Sequence, residues 1–324
     1  MMNYPDKIYG LINIDEPLIE ELFNSETLQR LKKVNQYGAS FYRFSHLTTS
    51  RFEHCVGVYY LLKKFGASCE EQAAGLLHDV PHTVFSHVID FVFSGNENSS
   101  FHEQFHEYFL HDSDAVKILN KYHIDWHRIY QMHHYKLLEQ EMPDLCMDRL
   151  DYLFRDMFTD KFLKLKDIQK VLNNILIIEK KIVFQDKKVA KFVAQKYQEG
   201  NDKLWGHPLQ ATLYRLFAEA LKIALFDNII TFRDLFSTDE VVYQKLIQSK
   251  HKNILHRLKQ IKNLKIKENK VKYDYHIKPK IRYLDPYVEQ KRKVSRLSVL
   301  DPIFHKENQD YLASKQEGFY VKII

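Results

Sequence analysis

Apolar residues recur every three to four positions through most of this 324-residue chain, and only nine glycines and eight prolines interrupt the pattern. That period is the signature of helices with a buried face, and few Gly and Pro leave little room for long loops. Between residues 15 and 35 the apolar positions are Ile19, Leu22, Phe23, Leu28, Leu31 and Val34, which reads as one or two short helices. Further helices are expected at about 51 to 65, 69 to 79 and 84 to 94. Pro81 cannot continue the second of these but suits the first turn of the third, so it makes a corner beside His78 and Asp79. "SGNENSS" at 94 to 100 reads as a polar turn before another helix near Phe101. "HRIYQMHHYKLLEQ" and "LCMDRLDYLFRDMF" again have helical spacing, "ILIIEKKIVFQD" alternates like a short hairpin, and the tail after 264 alternates enough for a few strands. The expected class is mainly α: a helical core over 1–165, a helical extension with a short hairpin over 166–264, and a mixed segment with short strands over 265–324.

The length exceeds one ordinary domain and is ample for a buried core. No stretch approaches the roughly 18 consecutive apolar residues of a membrane span, and "MMNYPDKIYG" lacks a basic-then-apolar signal pattern, so a cytoplasmic protein is expected. Cys55, Cys69 and Cys146 are widely spaced and suggest neither a disulfide framework nor a thiolate zinc site. The net charge of +6 is uneven, with lysines crowded into residues 249 to 283. Such a run can meet nucleic acid or another polyanion. It also carries Ile254, Leu255, Leu258, Ile261 and Leu264 at helical spacing, as the solvated face of a packed helix would.

Chemistry concentrates in "AAGLLHDVPHTVFSHVIDFVF". His78 and Asp79 are adjacent, and His82, His87 and Asp90 follow within one helix-corner-helix unit. Imidazole and carboxylate together are good ligands for a divalent transition ion, and a mixed set leaves the ion able to accept phosphate or water oxygens. His54, in the preceding helix, offers a third ligand. Asp148, in "MDRLDYLFRD", offers a fourth and shares a helical surface with Asp151 and Tyr152, with Asp156 two turns beyond. Taken singly, histidines such as His123, His127, His133 and His134 read as surface or packed residues. Only the ordered combination singles out His54, His78, Asp79 and Asp148.

That order, H…HD…D, resembles the signature of the HD-domain metal-dependent phosphohydrolases. "LQRLKKVNQYG", "RFEHCVGVYYL", "AGLLHDVPHTVFSH", "FHEQFH" and "DRLDYLFRD" together resemble the branch of deoxynucleoside-triphosphate triphosphohydrolases, in order over roughly residues 8 to 160. The resemblance implies an HD-domain helical core holding one divalent ion (Mn, Fe, Mg, Zn, Ni or Co) on His54, His78, Asp79 and Asp148. It implies catalytic roles for His87, Asp90, His102 and Glu103, and substrate contacts from Gln36, Arg51, His82, Arg149, Tyr152 and Asp156. A metal ion with Arg51 and Arg149 would stabilise the charge that concentrates on a phosphoryl group in its transition state. Histidine, with a pKa near 6.5, suits protonation of the leaving oxygen when Asp90 or Glu103 orients its ring. Relatives of this kind often self-associate, so a homo-oligomer is implied as well.

Two departures bear on the substrate. Pro81 and Thr83 replace glycines common at the metal corner, which makes the corner stiffer. The stretch expected to supply phosphate-binding cations, "YQEGNDKLWGHPLQATLYRLF", has few, so a triphosphate would need Lys203, Arg215 or the downstream lysines. The expected activity is metal-dependent hydrolysis of a nucleotide, first a (deoxy)nucleoside triphosphate. The alternatives are a nucleotidase or phosphodiesterase, a nuclease or nucleic-acid binder using the 249–283 lysines, and a non-catalytic nucleotide sensor.

Overall fold

Ser50 starts the helix on which the site is built. Its hydroxyl accepts the Glu53 amide at 3.2 Å, and the Glu53 carboxylate accepts the Ser50 amide at 2.8 Å, a capping box that satisfies donors the helix itself cannot. The helix Arg51–Lys64 is apolar on nearly every side, with Phe52, Cys55, Val56, Val58, Tyr59, Leu61 and Leu62 all buried. A helix hydrophobic all round belongs in the middle of a core. The computed structural model, which describes residues 2–93, 105, 110–278 and 280–324, places it there.

Helices Cys69–Leu77 and Met147–Thr159 flank it. Two glycines set how closely they approach. A Cβ on Gly75 would lie 2.3 Å from Leu62 Cδ1, and one on Gly57 would lie 2.0 Å from Asp151 Oδ1. A side chain at either position would have to displace these groups. A second core forms around the helix Pro208–Phe226, which packs Leu213, Leu216, Phe217 and Leu221 against helices Val88–Phe93 and Lys252–Asn263.

Among the described residues, three small sheets accompany the helices. β1 (Met2–Asp6) and β2 (Gly10–Ile14) form an antiparallel hairpin that helical periodicity did not foretell, with Ile12 and Ile14 buried. β3 (Ile175–Ile178) and β4 (Lys181–Phe184) form the hairpin expected there, extended by β7 (Tyr287–Gln290) and β8 (Lys293–Arg296) in the order β3-β4-β7-β8. β5 (Ile266–Glu268) and β6 (Tyr275–Ile277) flank β9 (Phe319–Ile323). Because β6 and β7 belong to different sheets, the residues between them run from one part of the molecule to the other.

The corner after His78 differs from expectation. The helix ends at Leu77, with His78 as its cap, and the next begins at Val88 instead of near 84. Tertiary contacts decide this. The Val84 amide donates to the Leu235 carbonyl at 2.8 Å, the Phe85 amide to Asp239 Oδ1 at 2.7 Å, and Phe85 and Ser86 take φ of 57° and 51°. Left-handed residues end a helix, whatever its periodicity. The helix expected near Phe101 lies outside the described residues. In the lysine-rich segment, Ile254, Leu258 and Ile261 are buried while Lys252, Lys259 and Lys262 are exposed. Among the described residues no helix is long and apolar enough to cross a membrane.

Candidate metal centre and substrate cleft

His54 projects from the Arg51–Lys64 helix, His78 from the end of the next, and Asp148 from the first turn of Met147–Thr159. His54 Nε2 lies 3.2 Å from His78 Nε2 and 2.9 Å from Asp148 Oδ1, and His78 Nε2 lies 3.5 Å from the same oxygen. Asp79 joins them, with Oδ1 3.5 Å from His78 Nε2 and Oδ2 3.9 Å from His54 Nε2. The structure thus brings together all four residues that the resemblance names as ligands, 24 to 94 positions apart for His54 and its two nearest partners.

The far side of each ring shows what the near side can bind. His78 Nδ1 is 2.7 Å from the Gly75 carbonyl, which only accepts, so that nitrogen carries the proton. His54 Nδ1 is 2.7 Å from Asp151 Oδ2, and Asp151 also receives Arg155 (two bonds of 2.9 Å) and the Tyr9 hydroxyl (2.8 Å). With both Nδ1 atoms donating, a neutral ring presents an Nε2 lone pair to its neighbours and to Asp148, and a cation placed between them meets imidazole and carboxylate ligand atoms together. His54, His78 and Asp148 offer ligand atoms all within 4.8 Å of one another. The residues present fit a divalent ion.

The same carboxylates also favour a second proton on each ring. Burial alone would lower the His54 pKa, but hydrogen bonds to Asp148 and Asp151 and the charges of Asp151 and Asp79 outweigh it and raise it to about 10. His78 is raised well above its ordinary value, against burial, by Asp79 and Asp148. Burial opposes ionisation of Asp79 and Asp148, yet Arg51 and the histidines hold Asp79, and His54 and His78 hold Asp148, below the usual carboxylate range. The carboxylates create a demand for positive charge between the rings, which a proton or a metal ion meets.

These groups line a cleft of about 730 Å³. Arg51, buried, pairs with Asp79 and donates from Nε to Ser86 Oγ at 2.8 Å. His82 Nε2 lies 3.3 Å from Asp79 Oδ1, and His87 Nδ1 lies 3.1 Å from Asp90 Oδ2. Gln36 Nε2 donates to Asp156 Oδ1 at 3.3 Å and turns a buried Oε1 without a hydrogen-bond partner toward the interior. Tyr152 meets the Tyr197 hydroxyl. Arg149 donates to Glu139 at 2.8 Å, the Asp144 carbonyl at 3.1 Å and Cys146 Sγ at 3.2 Å. His102 and Glu103 lie outside the described residues.

Several lining residues were not foreseen. Trp205 Nε1 donates to Asp156 Oδ2 at 2.7 Å, and its ring stands edge-on to Tyr152, 4.9 Å between centroids. Burial, partly offset by the Trp205 and Tyr37 hydrogen bonds, raises the Asp156 pKa to about 6. Glu139 is raised to about 7, by burial and the Asp148 charge against Arg149. Lys280 and Arg282 also line the cleft. Of the cations considered from the sequence, Arg215 is absent from this lining and lies over the rings of Phe91 and Tyr275, at 5.7 and 5.5 Å, and Lys203 is absent as well.

Comparison with known proteins places this geometry. The HD domain family matches residues 51–156, the span from Arg51 to Asp156 that carries all four clustered residues. Uncharacterized protein YdhJ of Bacillus subtilis is 36% identical, covering 100% of this chain and 99% of its own. Metal-dependent phosphohydrolase cns2 of Cordyceps militaris is 28% identical over 96% of this chain and 92% of its own. Among solved structures, a phosphohydrolase from Bacteroides thetaiotaomicron superposes with a TM-score of 0.72 over 99% of both chains at 17% identity, a likeness of fold. The chain belongs to the HD-domain superfamily of metal-dependent phosphohydrolases.

Proposed function

We propose that this chain hydrolyses a phosphate ester or phosphoanhydride bond of a nucleotide at the His54–His78–Asp148 centre, with Asp79 as its fourth member. The observation that carries this reading is the convergence of ligand atoms from His54, His78 and Asp148 in a cleft also lined by Tyr152, Tyr197, Trp205 and Tyr214. Aromatic walls suit a base or sugar face, and a mixed histidine–carboxylate cluster suits a cation that meets phosphate. A divalent ion bound there would supply Lewis acidity for a phosphoryl oxygen and acidify a water.

The chain's own groups supply the rest. Asp151 fixes the tautomer and direction of the His54 ring, and Arg51 holds Asp79 ionised beside both imidazoles. His87 is half exposed with Asp90 at its Nδ1, and the proton-transfer role of this pair is the one inferred from the resemblance. Gln36 Oε1 is a ready acceptor for a sugar hydroxyl. A (deoxy)nucleoside triphosphate is the first substrate to try, supported by the five motif phrases; a monophosphate or phosphodiester uses the same machinery with fewer charges.

Metal-loaded protein incubated with a panel of nucleotides and single-stranded oligonucleotides, with products weighed by mass spectrometry, tests this. Tripolyphosphate release supports the triphosphate reading, and inorganic phosphate points to a nucleotidase. Shortened oligonucleotides beside untouched nucleotides would replace the reading with a nuclease. No product with any of the six metals would leave a nucleotide sensor.

A further inference from the structure

A nucleotide brings several negative charges to the cleft, and the two arginines nearest the metal centre are already engaged. Arg51 pairs with Asp79 and Ser86, and Arg149 with Glu139, so neither guanidinium is fully available to phosphate. The next cations lie more than a hundred residues on. Lys280 and Arg282 line the cleft, two residues apart in a segment without regular structure.

The segment is fixed beyond Arg282. Leu284 is fully buried, the Asp285 amide donates to the Pro143 carbonyl at 3.1 Å, and the Asp285 carboxylate accepts the Ser298 amide at 2.9 Å. Before Lys280, Ile277 is fully buried in β6. Arg282 itself is half-buried and enters no ion pair among the described residues. Its charge bears on the phenols of Tyr152, Tyr197 and Tyr214, which share the cleft lining with it, and on that of Tyr311. A half-buried guanidinium without a carboxylate partner, facing a cleft that must take up anions, is matched in charge and geometry to phosphate oxygens.

We propose that Arg282, with Lys280 beside it, is the phosphate-binding arm of the cleft, taking the nucleotide phosphate oxygens that the metal centre does not hold. This rests on the reading of the cleft as a nucleotide site. The arm makes up for the cations missing over residues 197 to 217, and it comes from the basic segment that would otherwise suggest a nucleic-acid surface.

Calorimetry on the metal-loaded full chain tests it with ATP, adenosine and inorganic pyrophosphate, for the wild type, Arg282→Gln and Arg282→Lys. A charged hydrogen bond of this kind predicts that Arg282→Gln weakens pyrophosphate and ATP by about ten- to a hundredfold, leaves adenosine unchanged, and is partly rescued by Arg282→Lys. Unchanged affinities for both phosphate ligands, equal weakening of adenosine, or a wild type that binds neither pyrophosphate nor ATP would overturn the arm. Turnover measured in parallel separates the two readings. Nucleotide hydrolysis with an unaltered KM in Arg282→Gln removes the arm and leaves the activity. No hydrolysis, with pyrophosphate affinity still dependent on Arg282, removes the activity and leaves the arm.

Discussion

Asp151 Oδ2 stands 2.7 Å behind His54 Nδ1, and Arg155, one turn along the same helix, grips both Asp151 oxygens at 2.9 Å. The His54 ring is therefore aimed by a buried carboxylate that is itself held in place. Outer-shell partners of this kind typically matter ten- to a hundredfold in metal affinity. Asp151→Asn is expected to weaken Mn2+ or Co2+ binding by about that factor while far-ultraviolet circular dichroism keeps its helical shape. Unaltered metal affinity in a folded variant would show that Asp151 serves only Arg155.

Metal binding should register as stability. An ion that binds the native state alone adds about 2.7 kcal/mol at a hundred times its Kd. Thermal melts of the wild type should rise with added divalent ion and fall back on chelation. In Asp148→Ala, which removes the carboxylate at His54 Nε2, the rise should vanish, and with it turnover. A variant that still gains stability from the ion would mean the ligands lie elsewhere.

Gly57 is where the two site helices touch. A methyl there would meet Asp151 Oδ1 at 2.0 Å and Arg155 at 2.2 Å, inside the network that holds His54. Overpacking a tight interface costs roughly 1–3 kcal/mol, and more where a buried ion pair must part. Gly57→Ala should therefore lower Tm and metal affinity together. A drop in Tm with full metal affinity would show that the helices can part without disturbing the ligand.

What the sequence discloses, and what it conceals, follows from range. His54, His78, Asp79 and Asp148 each sit within a short phrase whose residue types already state a chemistry, and helical spacing carried Asp151, Tyr152 and Asp156 along with Asp148. The helix start at Val88 was hidden because Leu235 and Asp239, some 150 residues away, fix the backbone of Val84 and Phe85. Arg282 was hidden for the same reason: nothing local distinguishes it from the lysines around it, and only the crossing from β6 to β7 brings it to the cleft. The β1–β2 hairpin is short, and its partly buried alternation is weak beside the helical signal that follows it.

Asp156 should make stability depend on pH in an unusual direction. Burial raises its carboxyl to about 6 from the ordinary 3.8, so between those values the folded state holds a proton that the unfolded chain has released. The stability this contributes is complete below about pH 4 and is lost as pH rises through about 6, by at most about 3 kcal/mol. Asp156→Asn cannot titrate. Its Tm relative to the wild type should climb from pH 4 to pH 7 and then level off. A difference that stays flat, or falls, would place the ionised form of Asp156 in the native state.

The Lys252–Asn263 helix separates the nucleotide reading from the nucleic-acid one. It buries Ile254, Leu258 and Ile261 and exposes Lys252, Lys259 and Lys262, and none of the six lines the cleft. Had these lysines tracked a nucleic-acid backbone, each phosphate contact would contribute about 0.7 to the slope of log K against log salt for a single strand. Lys259→Glu with Lys262→Glu keeps the apolar face intact, so the fold should stand. Nucleotide turnover is expected to stay within about twofold, because exposed charges outside the cleft lining are screened by salt and contribute little to a buried site. Loss of turnover in a folded double variant would tie the helix to catalysis. Single-strand binding that disappears with it, steeply salt-dependent in the wild type, would give the lysine run a polyanion of its own, separate from the one Arg282 meets.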